Sequence, residues 1–151
     1  MCYPPMVYES RWQQIIFAIE IYHYYGTDMQ IQYVNSAMTK IVDILEVYEK
    51  KGFIKIEKFA YVDFDVTTVS KIGMNPMLEL NSRNQPLALT DCLMKYREAA
   101  EFIIVADVDD ILFPEIKPFY NEFTFWSTTF SNSSAFMYFR SPATIRIGKL
   151  G

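Results

Sequence analysis

Three carboxylates, Asp107, Asp109 and Asp110, directly follow an uninterrupted run of five apolar residues, 102–106. Such a run is typical of a buried strand, and ligand sites in open α/β sheets lie where strands end. Carboxylates placed so close together repel one another, and a divalent cation would offset that repulsion. Oxygen ligands suit Mg²⁺ or Mn²⁺, which proteins often share with substrate phosphates. The pattern therefore predicts a site for a metal and a diphosphate.

This Asp-x-Asp pattern is short, and other interpretations exist. Asp109 or Asp110 could simply cap the next helix. The pattern also occurs in phosphatases of the haloacid-dehalogenase type, where the first Asp is the nucleophile. That motif continues with Thr or Val and normally sits on the first strand, whereas this chain has Ile111 and places about a hundred residues before the cluster. Transfer of a sugar from a nucleotide sugar is therefore favoured over phosphatase chemistry.

The elements predicted around the cluster alternate between helix and strand. Ser10 and Gln13 resemble a capping box, and Gly26 suits the end of the helix that follows. The remaining predictions are a strand at 30–35, a helix at 37–51, a strand at 53–59, an excursion loop at 60–81 with one short strand, a helix at 86–99, a strand at 101–106, a helix at 114–130 interrupted at Pro118, and a strand at 135–140. With residues 2–7 as a stub of the first strand, this order predicts an α/β fold with a mostly parallel sheet and helices on both faces.

Composition bounds the class of protein. The 151 residues correspond to one domain, and 51% hydrophobic and 17% aromatic residues exclude a disordered chain. A net charge of −4 without a basic run argues against nucleic acid as a partner. Cys2 and Cys92 allow one disulfide or two buried thiols. The single histidine, His23, is expected to pack in or near the core rather than bind metal.

Several blocks of the sequence, taken in order, resemble the nematode branch of glycosyltransferase family 92. They are residues 8–18, 21–26, 83–85, 88–93 and 106–114. The resemblance implies a GT-A-like, Rossmann-related fold and a hexosyltransferase activity. It implies transfer of a sugar, galactose in known members, from a UDP-sugar donor to a glycan acceptor with inversion, and a need for Mn²⁺ or Mg²⁺. It also implies a single-pass type II membrane protein facing the Golgi lumen.

The resemblance also implies roles for individual residues. Asp107 would contact the ribose or the metal, Asp109 would bind the metal directly, and Asp110 would be a further ligand or a helix cap. Arg83, just before a predicted helix start, would bind the diphosphate, because a guanidinium and a helix N-terminus both supply donors to an anion. Glu9, after the first strand, would lie near the nucleoside, although support of the first helical turn is the simpler interpretation.

The resemblance covers about residues 2–140. Measured against the family pattern, the domain at 1–151 is expected to be truncated on its acceptor side and to have no membrane anchor of its own. The carboxylates after Asp110 are Glu115 and Glu122, so the catalytic base stays unassigned. The alternative is therefore a catalytically incompetent fragment that binds nucleotide sugar without transferring it.

Overall fold

The computed structural model describes residues 1–59, 64–75, 84–139 and 141–144. Its helices and strands run in the order α1 (Trp12–Tyr24), β1 (Gln30–Val34), α2 (Thr39–Lys50), β2 (Ile54–Lys58), α3 (Val66–Ile72), α4 (Gln85–Tyr96) and α5 (Phe119–Thr129). None of the helices in this part of the chain is long and apolar enough to cross a membrane.

A parallel sheet organises the molecule. β1 and β2 pair in parallel, with Gln30 opposite Ile54. The N-terminal segment lies on the other side of β1, where Cys2 forms a parallel bridge with Ile31. Cys2 also bridges Val105, so the order across the sheet is β2, β1, the N-terminal stub and the segment around residue 105. The predicted stub of the first strand is thus confirmed, and it lies inside the sheet rather than at its edge.

The prediction of a full strand at 101–106 is wrong. In the structure this segment makes one bridge, at Val105, and Cys2 N–H donates to the Ile104 carbonyl at 2.8 Å. Among the described residues the segment has a neighbouring strand on one side, and that neighbour is itself only a stub. Ile104 and Ala106 are buried, whereas Val105 is 46% exposed. The segment therefore contributes to the core on one side.

Helices cover both faces of the sheet, as predicted. On one face α1 and α2 form a core with the stub and β2. The stub contributes Met6, α1 contributes Ile15 and Ile19, α2 contributes Ile41, Leu45 and Tyr48, and β2 contributes Ile54. On the other face α4 packs Ala88 and Cys92 against Ile31 and Tyr33 of β1. A disulfide between Cys2 and Cys92 crosses this second interface, so the pairing alternative for the cysteines is the correct one.

The first helix ends as predicted but does not begin as predicted. Its N-cap position is Arg11, which makes no side-chain cap, so the capping box at Ser10 is wrong. The Glu9 carboxylate instead accepts the backbone N–H groups of Ser10 and Arg11, each at 2.9 Å. At the other end Gly26 has φ of +87°, and its N–H donates to the His23 carbonyl at 3.0 Å.

The region predicted as an excursion loop contains a helix, α3, where it can be described. Asp65 caps α3 by accepting the Thr68 N–H at 2.8 Å, and Gly73 ends it with φ of +82°. Local capping therefore overrides the β-branched composition that suggested a strand. Residues 60–63 and 76–83 lie outside the described part of the chain.

The last two predicted elements differ from the structure. Residues 114–118 are not helical, and the helix begins at Phe119, after Pro118. Residues 135–139 form no strand, and residue 140 lies outside the described ranges. Phe136 and Tyr138 instead pack on Trp126, with ring centroids 5.4 and 5.3 Å away. Aromatic packing on α5, rather than pairing with a sheet edge, positions this segment.

Candidate functional site

A small cavity lies where the N-terminal stub and the segment around residue 105 end. Because the two segments run in parallel, their carboxyl ends meet at the same edge of the sheet, the position at which α/β proteins bind ligands. The cavity has a volume of about 90 Å³, and its polar lining consists of Tyr3, Glu9, Arg11, Gln32, Asp107 and Asp109. The predicted residues Glu9, Asp107 and Asp109 are therefore brought together by the fold.

Arg11 links two of these carboxylates. Its Nη2 contacts Glu9 Oε2 at 2.8 Å, and its Nη1 contacts Asp109 Oδ2 at 3.2 Å. Arg11 was not among the residues predicted from the sequence, although its position two residues after Glu9 at the start of a helix was a usable signal. Three carboxylates against one guanidinium leave the lining with a formal charge of −2, which favours a further cation.

Glu9 is the most strongly held of the carboxylates. Besides the two backbone N–H groups, it accepts Arg11 Nε at 3.0 Å. The guanidinium and these hydrogen bonds lower the pKa of Glu9 to about 2, against the opposing effect of burial. The same contacts raise the pKa of Arg11 above its ordinary value. Glu9 therefore holds the backbone just before α1 and fixes the guanidinium beside Asp109.

The loop that carries the aspartates is attached to α1. Asp110 N–H donates to the Asp107 carbonyl at 3.0 Å, which closes a tight turn. The buried Tyr22 hydroxyl donates to the Asp110 carbonyl at 2.8 Å and accepts the Leu112 N–H at 3.1 Å. The prediction that Asp110 caps the following helix is wrong, because that helix begins nine residues later, at Phe119.

The carboxylate oxygens of the cavity suit a hard divalent ion whose remaining coordination positions are filled by a bound substrate. Within the described residues no group of three or more His, Cys, Asp or Glu side chains is arranged to hold a metal. Mg²⁺ is commonly bound through one or two carboxylates plus substrate phosphates, and Asp109, whose side chain is 49% exposed, can serve in this way. The residues present thus fit a metal shared with a diphosphate, and they do not form a closed cage.

Other predicted residues lie elsewhere. Arg83 falls outside the described residues, so its role stays a prediction. Glu122 is buried and accepts the Ile116 N–H at 2.8 Å and the Tyr138 hydroxyl, which is a structural role. His23 is exposed, more so than predicted, and stacks on Phe53 with ring centroids 3.6 Å apart. Glu115 is exposed on the loop before α5.

This chain has a parallel sheet with charged side chains at the carboxyl ends of its strands, which is typical of ligand-binding α/β proteins. Comparison with known proteins identifies the family within this class. The model of glycosyltransferase family 92 matches residues 1–143. The chain belongs to glycosyltransferase family 92, which confirms the resemblance and leaves the phosphatase interpretation without support.

The similar curated proteins come from Caenorhabditis elegans. Glycosyltransferase family 92 protein F59C6.8 is 36% identical over 138 residues, which is 91% of this chain and 26% of that protein. Glycosyltransferase family 92 protein C33H5.2 is 34% identical over 122 residues, 81% of this chain and 24% of that protein. The chain thus spans about a quarter of the length of these relatives. No solved structure matches it.

Proposed function

We propose that this chain forms the donor-binding part of a metal-dependent glycosyltransferase. The reaction is transfer of a sugar, galactose, from a UDP-sugar to a glycan acceptor with inversion. Family membership supports glycosyl transfer, and the observation that carries the rest is the acidic cavity at the carboxyl edge of the sheet. That edge is the place where a GT-A-like fold would hold its nucleotide sugar.

The side chains of the cavity have separate roles in binding the UDP-sugar donor. Asp109, with Asp107 beside it, binds Mn²⁺ or Mg²⁺ together with the diphosphate. When bound, the metal neutralises charge on the departing diphosphate. The Arg11 guanidinium places a second positive charge beside the Asp109 carboxylate, and its contact with Glu9 fixes its position. Arg83 remains the proposed additional diphosphate ligand.

The disulfide supports a location in the secretory lumen. Disulfides persist in oxidising compartments and are rare in the cytosol, where thiols are kept reduced. Cys2 and Cys92 are both almost fully buried, so their bond belongs to the folded core. A Golgi-lumenal enzyme, anchored as a type II membrane protein by a segment outside these residues, agrees with this chemistry.

Calorimetry of UDP binding to the 151-residue chain tests the proposal. We expect UDP to bind with Mn²⁺ and to lose about tenfold or more in affinity with a chelator. Asp109→Asn should cause a comparable loss, because it removes the charged oxygen that the metal needs. Asp43→Asn, an exposed change on α2, is the matched control and should bind as the unaltered chain does. Equal UDP affinity with Mn²⁺ and with chelator would overturn the proposal.

A further inference from the structure

Two glutamines of β1, Gln30 and Gln32, have completely buried side chains on the same face of the sheet. Gln30 is fully used, since its Oε1 accepts the Tyr3 hydroxyl at 2.8 Å and its Nε2 donates to the Ile19 carbonyl at 2.9 Å. Gln32, by contrast, has no partner for either Oε1 or Nε2 among the described residues. A buried carboxamide with both ends unpaired is destabilising, so its presence indicates a partner that is not part of the folded chain.

The position of Gln32 indicates what kind of partner this is. Gln32 lines the same cavity as Glu9, Arg11, Asp107 and Asp109. A ligand held by Arg11 and Asp109 therefore lies in the same cavity as the glutamine. The volume of about 90 Å³ is several times what one water molecule needs.

We propose that the Gln32 carboxamide recognises the nucleobase of the donor by two parallel hydrogen bonds. The inference rests on the proposed function, because it assigns the base-reading residue of the same site. A carboxamide offers an acceptor and a donor side by side, and the uracil ring presents an N3–H donor next to a carbonyl acceptor. Oε1 would accept the ring N3–H while Nε2 donates to the neighbouring carbonyl, so neither amide atom stays unpaired.

The ring must move a side chain in order to reach the carboxamide. Each unpaired amide atom of Gln32 exposes less than 1 Å². Met6 lies in the lining of the cavity and also packs in the core with α1 and α2, so its side chain must repack before the ring can enter. An unbranched thioether is well suited to such an adjustment.

Two matched variants of the 151-residue chain test the inference. Gln32→Met keeps the volume of the side chain and removes both unpaired polar atoms, so we expect its melting temperature to rise by about 2–8 °C. Its affinity for UDP with Mg²⁺ should fall about 10- to 100-fold, while inorganic pyrophosphate with Mg²⁺ should bind unchanged. Gln30→Met should instead lower the melting temperature, because it leaves the Tyr3 hydroxyl and the Ile19 carbonyl without their partner.

The outcomes separate this inference from the proposed function. A higher melting temperature together with a selective loss of UDP over pyrophosphate supports base recognition by Gln32. If the unaltered chain binds UDP and Gln32→Met binds it equally well, the inference is wrong while the proposed function stands. An equal loss of UDP and pyrophosphate also contradicts it, because the glutamine would then act on the diphosphate site. If the unaltered chain binds neither ligand, the proposed function fails and the inference fails with it.

Discussion

At the scale of residues, a single arginine organises the candidate site. Arg11 bonds to Glu9, two positions before it, and to Asp109, which is 98 positions after it. Both carboxylates are recognisable in the sequence as members of separate motifs. Their shared guanidinium is not, because the contact depends on the stub and residues 104–106 lying side by side. The site is therefore a product of sheet order rather than of any one motif.

The lowered pKa of Glu9 predicts how stability depends on pH. The pKa falls from 4.5 to about 2 on folding, so the contribution of Glu9 is fully present above pH 4.5 and is lost as the pH falls towards 2. We expect Glu9→Gln to lower the free energy of unfolding at pH 7 by about 1–3 kcal/mol. Below pH 4.5 the difference between the two proteins should shrink.

Urea unfolding between pH 7 and pH 2.5 measures this dependence. Glu46→Gln, an exposed change on α2, serves as the control for the loss of one carboxylate. Parallel stability curves for Glu9→Gln and the unaltered chain across this range would show that the Arg11 contact does not shift the pKa.

At the scale of elements, the end of α1 is fixed by a glycine that also contacts a distant segment. Gly26 has φ of +87°, and a Cβ atom built there would lie 2.9 Å from Cβ of Pro118. The Phe119 N–H donates to the Tyr25 carbonyl at 3.0 Å, so α5 begins directly against the end of α1. One glycine therefore serves a helix terminus and a junction between helices.

Gly26→Ala and Gly52→Ala distinguish these two roles. Gly52 ends α2 with φ of +78°, but a Cβ atom at this position would have nothing within 4 Å. Gly52→Ala should lower the free energy of unfolding by about 1–2 kcal/mol, which is the cost of the left-handed conformation alone. Gly26→Ala should cost more, because Pro118 must also move. Thermal unfolding measures both variants, and equal losses would mean that the contact with Pro118 carries no energy.

The elements that could be predicted are those whose signals are local. The apolar stripe of α2 and the glycines after Tyr25 and Lys51 predicted their helices to within one or two residues at those ends. In β1 the alternation of polar and apolar residues predicted the strand, but it did not reveal that Gln30 and Gln32 are buried.

The predictions that failed depended on partners that the sequence does not name. The apolar composition of residues 101–106 favours a strand, yet a strand needs neighbours, and the described structure supplies only a stub. Ser10 had the right spacing for a capping box, but the Glu9 carboxylate accepts the N–H groups of Ser10 and Arg11, and the N-cap position is Arg11. For α3, one capping aspartate decided the structure against the composition of the segment.

At the scale of the whole molecule, the aromatic residues divide between core and surface. Phe119 is buried and stacks on Tyr22, so this part of α5 belongs to the core. Phe113, Phe125 and Phe130 are each more than half exposed, so aromatic side chains before, within and at the end of α5 are uncovered. An aggregation tendency of the isolated chain follows from this surface.

The disulfide connects the middle of the sheet to α4 and should contribute strongly to stability. Its cysteines are 90 residues apart in sequence, and closing a loop of that size restricts the unfolded chain by about 4–5 kcal/mol in the chain-entropy model. We expect reductant to lower the free energy of unfolding by about 2–5 kcal/mol. Urea unfolding with and without reductant measures this.

The double variant Cys2→Ala, Cys92→Ala is the control for the effect of reductant. It should be less stable than the oxidised chain and insensitive to reductant, because no bond remains to be reduced. An unaltered chain with the same unfolding midpoint in both conditions would contradict the stabilising role of the bond.

The same bond also constrains the order of events during synthesis. Cys2 leaves the ribosome 90 residues ahead of Cys92, so its thiol waits as a free group until α4 has been made. Residues 1–151 contain two cysteines, so a disulfide between residues of this part of the chain has a single possible pairing. Among these residues there is therefore no second pairing through which the two thiols could pass. The N-terminal stub inside the sheet is therefore cross-linked only after α4 has left the ribosome.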